Sequence, residues 1–429
     1  MKIVIIHYRY YEASGPERYL FNITKLLQDN GHEVIPFSLD FKENRSSEYS
    51  KYFAKPVVEH FHVDKAKSSL SFSDKLEIIK NSFYNNQVYN KLTELLEIEK
   101  PDLAYVLQYG NKLSTSIFDA CKEKNLPVVL RLSDFNLLCS KNIFYRDGEI
   151  CTQCINNKFK SVKHKCVHGS LAQSFVYYLT QKYNELRKFE DKIDAFITPS
   201  KFTKDTIQKS KQFKNSKFYH VPTFIDKFQE LAIKDRSYNT NDIIKFCYVG
   251  RIAEDKGIDI LIDAIHKLSD KSLNIQVDIY GDNNNQYARE QLGTVNRLNL
   301  KNVEFKGYVK ASTINEVFEK YHYSIIPSKW YDNMPNSLIE SSINGIPVIV
   351  SNVGSLGELI NEGENGFAFE HNNSQSLADK IESLFLVSEE SYNQLSQNSY
   401  NWIKDYSDKS KHYNRLINIF DNLNEKYSK

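Results

Sequence analysis

The sequence predicts an α/β protein of two domains, each built on a parallel sheet. The chain has 429 residues, and because domains cluster at ~100–200 residues, two domains are expected. Residues 2–7 form an apolar strand pattern, a helical pattern follows, and residues 32–37 return as a strand. This βαβ order requires parallel strands, and an α/β pattern begins again at Lys245.

The charge balance limits the classes of partner. Lys and Arg number 56 against 54 Asp and Glu, a net charge of +2, whereas nucleic-acid-binding domains are usually strongly basic. The first residues are too short for the apolar core of a signal peptide, and no run of ~18 apolar residues indicates a membrane span. We therefore expect a cytoplasmic protein that does not bind nucleic acid, with peripheral contact at the inner membrane surface left open.

The loop after the first strand is a candidate phosphate site. The strand ends at His7, and Ser14-Gly15-Pro16-Glu17 is typical of a capped helix start. A glycine such as Gly15 lets the backbone approach a phosphate without an intervening side chain. The signal is weak when taken alone.

The middle of the first half holds less recognisable chemistry. Residues 38–100 are polar and aromatic with helical patches, and we assign them no chemical role. Strands are predicted at residues 102–108 and 127–132, and Ser133 and Asp134 follow the second of them. Ligands of open α/β sheets bind at the carboxyl ends of the strands, so we expect Asp134 to face a cleft.

Four cysteines lie within 28 residues, at Cys139, Cys151, Cys154 and Cys166. They are compatible with one structural zinc site and equally with reduced thiols packed in an irregular insert. Four thiolates would leave no open coordination position, so a catalytic zinc is not expected.

A basic segment follows the cysteines and precedes an aromatic helix at residues 170–190. Its lysines, Lys158, Lys160, Lys163 and Lys165, fit contact with anionic lipid headgroups or with a lipid-diphosphate acceptor. A solvated loop before a core helix is the alternative, and it is somewhat favoured.

The second half presents cations beside a helix start. Gly250 and Arg251 end the strand at residues 245–249, and Lys256 directly precedes the helix at residues 257–268. Paired cations beside a helix start are suited to a diphosphate, whose negative charge they stabilise.

A second candidate anion site lies within residues 327–362. Pro335 is placed at the first position of a helix over residues 336–344, so the N–H groups of Asn336, Ser337 and Leu338 are expected to point at the loop that contains Asn333. Two carboxylates, Asp332 and Glu340, flank this loop and suit the hydroxyl groups of a sugar.

These motifs resemble those of the GT-B glycosyltransferases, in particular the retaining hexosyltransferases of glycosyltransferase family 4 (group 1 glycosyltransferases). The donor-side pairs Gly250-Arg251 and Lys256-Gly257 match in order and spacing. The family's two Glu residues, separated by seven positions, correspond to Asp332 and Glu340. The chain departs from the pattern at Asp332, which is one methylene shorter, and at Ser133, where relatives frequently have His.

The resemblance implies a GT-B fold, in which two Rossmann-like domains with parallel sheets face a central cleft. The implied divisions are an acceptor-binding domain at 1–226 with a cysteine insert at 136–168, a linker at 227–242, a donor-binding domain at 243–408, and a helix at 409–429 that packs back on the first domain.

The implied reaction moves a hexose from a UDP- or GDP-sugar to a glycan or lipid-linked acceptor, with retention and without a catalytic metal. It belongs to bacterial surface polysaccharide synthesis. A non-transferring GT-B protein, either a sugar-nucleotide epimerase or an inactive subunit of an assembly complex, is the alternative. The implied catalytic residues are Arg251, Lys256, Asp332 and His7; those that bind the donor are Gly15, Gly250, Arg251, Lys256, Gly281, Tyr308, Asn333, Pro335, Asn336, Ser337, Leu338 and Glu340.

Overall fold

The computed structural model describes residues 1–13, 15–57, 71–225 and 237–427. The chain divides into two compact units: the first comprises Met1–Asn142, Thr152–Asp226 and Lys409–Lys429, and the second comprises Ile143–Cys151 and Lys227–Asp408. Each unit contains a six-stranded sheet whose strands pair in parallel. The prediction of an α/β fold with two Rossmann-like parallel sheets is confirmed.

The first sheet has the strand order β2-β1-β3-β4-β7-β8. In chain order, the helices and strands before residue 226 are β1 (Lys2–His7), α1 (Gly15–Asp29), β2 (Glu33–Phe37), α2 (Phe72–Phe83), α3 (Asn86–Glu99), β3 (Leu103–Gln108), α4 (Gly110–Leu113), α5 (Ser116–Glu123), β4 (Val128–Arg131), β5 (Tyr145–Arg146), β6 (Glu149–Ile150), α6 (Lys160–Lys163), α7 (Leu171–Leu186), β7 (Ala195–Thr198), α8 (Lys201–Gln208) and β8 (Phe218–His220).

The second sheet has the strand order β11-β10-β9-β12-β13-β14. Its unit contains β9 (Ile244–Val249), α9 (Ile258–Lys267), β10 (Ile275–Tyr280), α10 (Gln286–Arg297), β11 (Val303–Gly307), α11 (Ile314–Phe318), β12 (Tyr323–Ile326), α12 (Asn336–Ile343), β13 (Val348–Ser351), α13 (Ser355–Leu359), β14 (Gly366–Phe369), α14 (Ser374–Leu384) and α15 (Glu389–Tyr406). The chain closes with α16 (Lys409–Tyr427). Among the helices that the structure describes, none has both the length and the hydropathy needed to cross a membrane.

The hairpin of β5 and β6 belongs to the second unit, although the sequence places the whole insert at 136–168 in the first domain. The Tyr145 hydroxyl donates to Glu254 Oε1 at 3.2 Å, and the ring of Phe144 packs edge-on against Tyr331 with centroids 6.3 Å apart. These contacts attach residues 143–151 to the second unit, and the division of the chain into functional domains stays a prediction.

The predicted linker at 227–242 lies partly outside the described residues. At its described end, Tyr238 is buried and stacks on Tyr392 with centroids 4.2 Å apart. Its hydroxyl donates to the carbonyl of Leu384 at 2.7 Å. Tyr238 is therefore part of the core of the second unit.

Helix α16 lies in the first unit and completes its core. Leu416 and Phe420 are fully buried there, and Phe420 packs edge-on against Tyr105 of β3 at 5.4 Å. His412 Nδ1 lies 2.7 Å from the carbonyl of Pro222, and its Nε2 lies 3.0 Å from the Tyr19 hydroxyl. Burial lowers the pKa of His412 to about 3, so this link is made by a neutral imidazole.

Replacing Phe420 by Ala is expected to destabilise the first unit by ~3–5 kcal/mol, because the change leaves a cavity in a closed core. Denaturant unfolding followed by far-UV circular dichroism measures the loss of stability. Asn418→Ala, at an exposed position of the same helix, is the matched control and should change stability little. An equal effect of the two substitutions would contradict the role given to α16.

Candidate functional site

The second sheet reverses its strand order between β9 and β12, which are neighbours in the sheet but distant in sequence. Loops that leave the carboxyl ends of two such strands diverge to opposite faces and open a crevice, the usual ligand site of open α/β sheets. Here these loops are 250–257 after β9 and 327–335 after β12. The sequence-predicted residues Arg251, Lys256 and Asp332 all lie in them.

Arg251 stands at the exposed edge of this site. Its side chain is 62% exposed and pairs with Asp255 across 2.6 Å. Asp255 is buried, and its carbonyl accepts the N–H of Lys329 at 2.9 Å, which joins the two loops. The guanidinium is thus oriented by a fixed carboxylate while most of its surface stays available to an anion. Sequence reasoning missed Asp255, although its spacing of four residues from Arg251 was a usable signal.

Lys256 and Asp332 form the inner part of the site. The Lys256 ammonium pairs with Asp332 Oδ2, and both side chains are mostly buried. Ser328 donates to the same carboxylate oxygen at 3.3 Å, and the ammonium lies 4.9 Å from the centre of the Trp330 ring. The cation assigned to the diphosphate therefore contacts the carboxylate assigned to the sugar, and the two roles meet at one position.

Glycines permit the close approach of these loops. A Cβ on Gly257 would lie 1.9 Å from the carbonyl oxygen of Pro327, and the residue has a φ of +71°. A Cβ on Gly281, which follows β10, would lie 2.2 Å from the carbonyl oxygen of Gly250. Gly250 and Gly281 thus bring the ends of β9 and β10 into backbone contact, next to Arg251.

Helix α12 starts beside the loop that holds Asp332. Pro335 is its N-cap residue, with φ −67° and ψ 138°, rather than its first helical residue. The Leu338 N–H donates to the Pro335 carbonyl at 3.1 Å, so the expectation that it points at an anion is wrong. Asn336 and Ser337 keep the predicted place in the first turn, and Asn333 in the loop is held by Ser355, whose hydroxyl contacts its carbonyl.

Two further residues predicted to bind the donor, Glu340 and Tyr308, lie outside the loops that hold Arg251, Lys256 and Asp332. Glu340 lies in α12 and is partly buried, and its carbonyl accepts the side-chain amide of Asn344 at 2.7 Å. Tyr308 follows β11 at the edge of the sheet and is 76% exposed. Strand β11 is two strands away from β9. Tyr308 therefore lies at the side of the sheet, away from the crevice between β9 and β12.

In the first unit, His7 lies beneath the surface rather than at it. Its ring is buried, Nδ1 is 2.8 Å from the carbonyl of Arg9, and Nε2 is 3.8 Å from Glu17 Oε1. Burial lowers its pKa to about 3, so the neutral imidazole dominates at physiological pH. Gly15 is the first residue of α1, whereas Ser14 of the predicted cap lies outside the described residues.

Glu17 and Arg9 form a buried ion pair in this loop. Arg9 Nε lies 3.1 Å from Glu17 Oε1, and both side chains are largely removed from solvent. The pair joins Arg9 of the loop after β1 to Glu17 of α1 on the buried side of that loop. His7 therefore supports the loop. Because the ring is buried, a role in proton transfer would have to be indirect, through other groups.

A polar cavity of about 290 Å³ opens at the carboxyl ends of β1, β3 and β4. This is the reversal point of the first sheet, between β1 and β3. Hydroxyl, amide and carboxyl groups line the cavity, including Tyr8, Asp134, Tyr177 and Asn184. Asp134, which follows β4, lines this cavity, and its role toward a ligand stays a prediction.

Asp134, which lines the cavity, and Lys112, which follows the lining residue Asn111, have shifted pKa values. Burial raises the pKa of Asp134 from 3.8 to about 6, against the effect of the Asn136 N–H that it accepts at 2.9 Å. Burial, with a contribution from Arg9, lowers the pKa of Lys112 to about 7, and its ammonium lies 5.2 Å from the centre of the Tyr8 ring. Sequence reasoning missed Lys112, although its place just after β3 was a usable signal.

Replacing Asp134 by Asn is expected to stabilise the protein at neutral pH. Because the folded-state pKa is raised, the folded carboxyl holds its proton more tightly, and ionising it costs stability as pH rises from about 4 to about 6. D134N should gain up to ~2–3 kcal/mol above pH 6 and little near pH 4. Thermal unfolding of both proteins across this range tests it.

Asp205→Asn, on an exposed position of α8, is the matched control for this pH series. A stability difference between D134N and the parent that did not grow from pH 4 to pH 6 would contradict the shifted pKa.

The four cysteines of the insert are not joined in disulfides, and Cys139 and Cys154 are buried. Cys151 belongs to the second unit, whereas Cys139, Cys154 and Cys166 belong to the first. Over the described part of the chain, no group of three or more His, Cys, Asp or Glu is placed to hold a metal ion. Structural zinc stays a hypothesis, and elemental analysis of the purified protein tests it.

Comparisons with known proteins agree with this architecture. Residues 231–402 match the family model described as glycosyl transferases group 1. An uncharacterized glycosyltransferase of Methanocaldococcus jannaschii is 30% identical over 174 residues, which is 41% of this chain and 47% of that protein. The poly(ribitol-phosphate) alpha-N-acetylglucosaminyltransferase of Staphylococcus aureus is 21% identical over 400 residues, covering 84% of this chain and 76% of that one.

A solved structure shows the same fold over the whole chain. The Anabaena protein HepE in complex with UDP-glucose superposes with a TM-score of 0.62 at 14% identity, covering 98% of this chain and 99% of that one. The chain therefore has the GT-B fold, and the unit that contains Arg251, Lys256 and Asp332 matches the group 1 glycosyltransferases. The matches with the first curated relatives span 39–47% of their lengths.

Proposed function

We propose that the protein is a glycosyltransferase that moves a hexose from a nucleotide-diphosphate sugar to a glycan or lipid-linked acceptor. The observation that carries this proposal is the grouping of Arg251, Lys256 and Asp332 at the reversal point of the second sheet. The match of residues 231–402 to the group 1 glycosyltransferases supports it.

The two cations are assigned to the diphosphate. Arg251 offers an oriented, exposed guanidinium, and Lys256 offers an ammonium inside the site. As the bond to the sugar breaks, negative charge collects on the leaving diphosphate, and fixed cations stabilise that charge without rearranging. We propose that these side chains take the place that a divalent metal holds in other transferases. The UDP-glucose complex of HepE supports a nucleotide sugar as donor.

Asp332 and Glu340 are assigned to the sugar portion of the donor. A diphosphate that attracts Lys256 competes with Asp332 for the ammonium, and the carboxylate then becomes free to accept hydrogen bonds from sugar hydroxyls. Donor binding and the release of Asp332 are coupled in this way. Because Asp is one methylene shorter than Glu, Asp332→Glu tests whether its reach selects the sugar.

Retention of the anomeric configuration, and membership of glycosyltransferase family 4, rest on the resemblance of the donor-side motifs. In this proposal the leaving phosphate takes the proton of the acceptor hydroxyl. His7 is buried and neutral, so we assign it the positioning of the loop after β1 instead of direct proton transfer.

The acceptor is assigned to the polar cavity of the first unit. Tyr8, Asp134 and Asn184 offer donors and acceptors of hydrogen bonds suited to sugar hydroxyls, and aromatic Tyr177 lies beside them. The relative from Staphylococcus aureus, a poly(ribitol-phosphate) alpha-N-acetylglucosaminyltransferase, supports an acceptor of bacterial surface polysaccharide synthesis.

The proposal is tested by incubating the protein with UDP- and GDP-hexoses and a panel of glycan acceptors while following the reaction by NMR. A transferase releases nucleoside diphosphate in step with a new glycoside, whose anomeric signal reports retention or inversion. An epimerase, the alternative activity, changes the sugar of the nucleotide without net transfer. Transfer that persists in chelator tests the metal-independent part. Absence of nucleotide release with every donor and acceptor would contradict the proposal.

A further inference from the structure

Helix α7 has its polar and apolar faces reversed relative to an ordinary surface helix. Its buried residues are Ser174, Thr180 and Asn184, and Asn184 accepts a hydrogen bond from Thr115 at 2.9 Å. Its large apolar side chains point outward instead: Phe175 and Leu186 are 45% and 83% exposed. Helices of globular proteins normally bury the apolar stripe, so this face is available for an apolar or amphipathic partner.

The exposed apolar residues of α7 repeat at helical spacing. Leu171, Phe175, Leu179 and Leu186 follow each other at intervals of four, four and seven residues and share one face. Phe159, in the preceding segment, is also exposed and packs edge-on against Tyr178 at 5.2 Å. The outward apolar surface therefore extends beyond the helix itself.

Helix α2 adds a second stripe beside the first. Phe72, Leu76 and Ile79 are exposed at the spacing of one helix face, and none of the residues of α2 is buried. The two helices touch where the Phe83 ring meets Tyr183 edge-on at 5.8 Å. Contiguous apolar patches of this kind mark interaction surfaces on soluble proteins.

The charge around α7 is one-sided, whereas α2 carries two acidic and two basic residues. Residues 158–188 contain seven Lys or Arg and a single acidic residue, Glu185. Lys163 and Lys165 are exposed in the segment that packs on α7. Lys158, which the sequence groups with them, instead donates to Gln212 at 2.8 Å and faces the protein. Exposed lysines beside exposed Phe and Leu are complementary to an anionic bilayer surface.

We propose that the apolar faces of α2 and α7, flanked by Lys163 and Lys165, dock on the surface of an anionic phospholipid bilayer. The apolar side chains insert at the boundary of headgroups and acyl chains, and the lysines meet the phosphates. This inference does not depend on the proposed reaction. One corollary does: a lipid-linked acceptor would meet the polar cavity, which α7 also lines through Tyr177 and Asn184, about one helix diameter (~10 Å) from the headgroups.

Co-sedimentation of the full chain with vesicles tests the docking. The protein is expected to bind phosphatidylcholine vesicles that contain phosphatidylglycerol, and to bind less as salt is raised because the lysine contribution is screened. Two double variants, Phe175→Asp with Leu179→Asp and Phe72→Asp with Leu76→Asp, should each lower binding by about tenfold or more. Lys163→Glu with Lys165→Glu should remove the preference for phosphatidylglycerol.

Ile98→Asp is the matched control, because Ile98 is 61% exposed on α3 and should leave binding unchanged. All the substituted residues are exposed, and circular dichroism checks that each variant is folded. Equal binding of wild type and the aspartate variants would overturn the proposal. So would a failure of wild type to bind phosphatidylcholine vesicles both with and without phosphatidylglycerol. A dimer in light scattering that the same variants dissociate, without vesicle binding, would also overturn it and assign the face to a second copy of the chain.

Discussion

Arg251→Ala is expected to lower sugar transfer by about 10²–10³-fold while leaving the unfolding temperature unchanged. A fixed donor of positive charge at a developing anion contributes on this order to the rate. The Arg251 side chain is 62% exposed and pairs with Asp255, so little packing is lost. Transfer rates and donor affinity, measured together with thermal unfolding, separate loss of the site from loss of the fold.

Arg297→Ala is the matched control for this change. Arg297 lies in the last turn of α10 in the same unit and is exposed, so its removal should leave transfer unaffected. Near-parental transfer by Arg251→Ala would refute the placement of the diphosphate. Lys256→Met is a second probe: it should weaken donor binding because the cation assigned to the diphosphate is lost, and it should lower stability because the buried Asp332 carboxylate loses its partner.

Gly257→Ala is expected to destabilise the second unit by ~2–5 kcal/mol and to abolish donor binding. The new Cβ would lie 1.9 Å from the Pro327 carbonyl oxygen, and the backbone at φ +71° disfavours any side chain. Relief requires the loops after β9 and β12 to separate, and those loops carry Lys256 and Asp332. Unfolding of the second unit and binding of UDP measured by calorimetry report the two effects.

Gly293→Ala makes the matched comparison within the same unit. A Cβ on Gly293 would meet nothing within 4 Å, and the residue lies inside α10, so alanine should stabilise the helix by ~0.5–1 kcal/mol. If Gly257→Ala behaved like Gly293→Ala, the close approach of the two loops would not be required for donor binding.

The positions of most residues in the proposed donor site could be predicted from the sequence because their signals are local. Arg251 and Lys256 flank a strand end and a helix start, and Asp332 stands in a loop before a short helix. Such positions are set by strand and helix patterns and need no knowledge of distant contacts. The first turn of α12 shows the limit of this reasoning, because whether Leu338 offers a free N–H depends on the backbone conformation of Pro335.

The first unit was predicted less well, and the reasons are physical. The sequence gives no sign that the hairpin of β5 and β6 packs in the second unit, because the contact of Phe144 with Tyr331 joins residues far apart in sequence. Residues 38–100 yielded no chemistry, yet α2 lies among them with an outward apolar stripe. A stripe of this kind looks the same in sequence whether it faces a core or solvent.

By itself the sequence determined the two parallel sheets, the placing of the cations at a strand end, and the carboxylates of the following loop. These follow from strand and helix periodicity, capping residues and the rule that loops at the carboxyl ends of parallel strands bind ligands. The tertiary structure alone decided that Lys256 and Asp332 contact each other, that His7 is buried and neutral, and that α7 turns its apolar face outward. Burial and pairing across long sequence distances depend on how the elements pack, which no local pattern encodes.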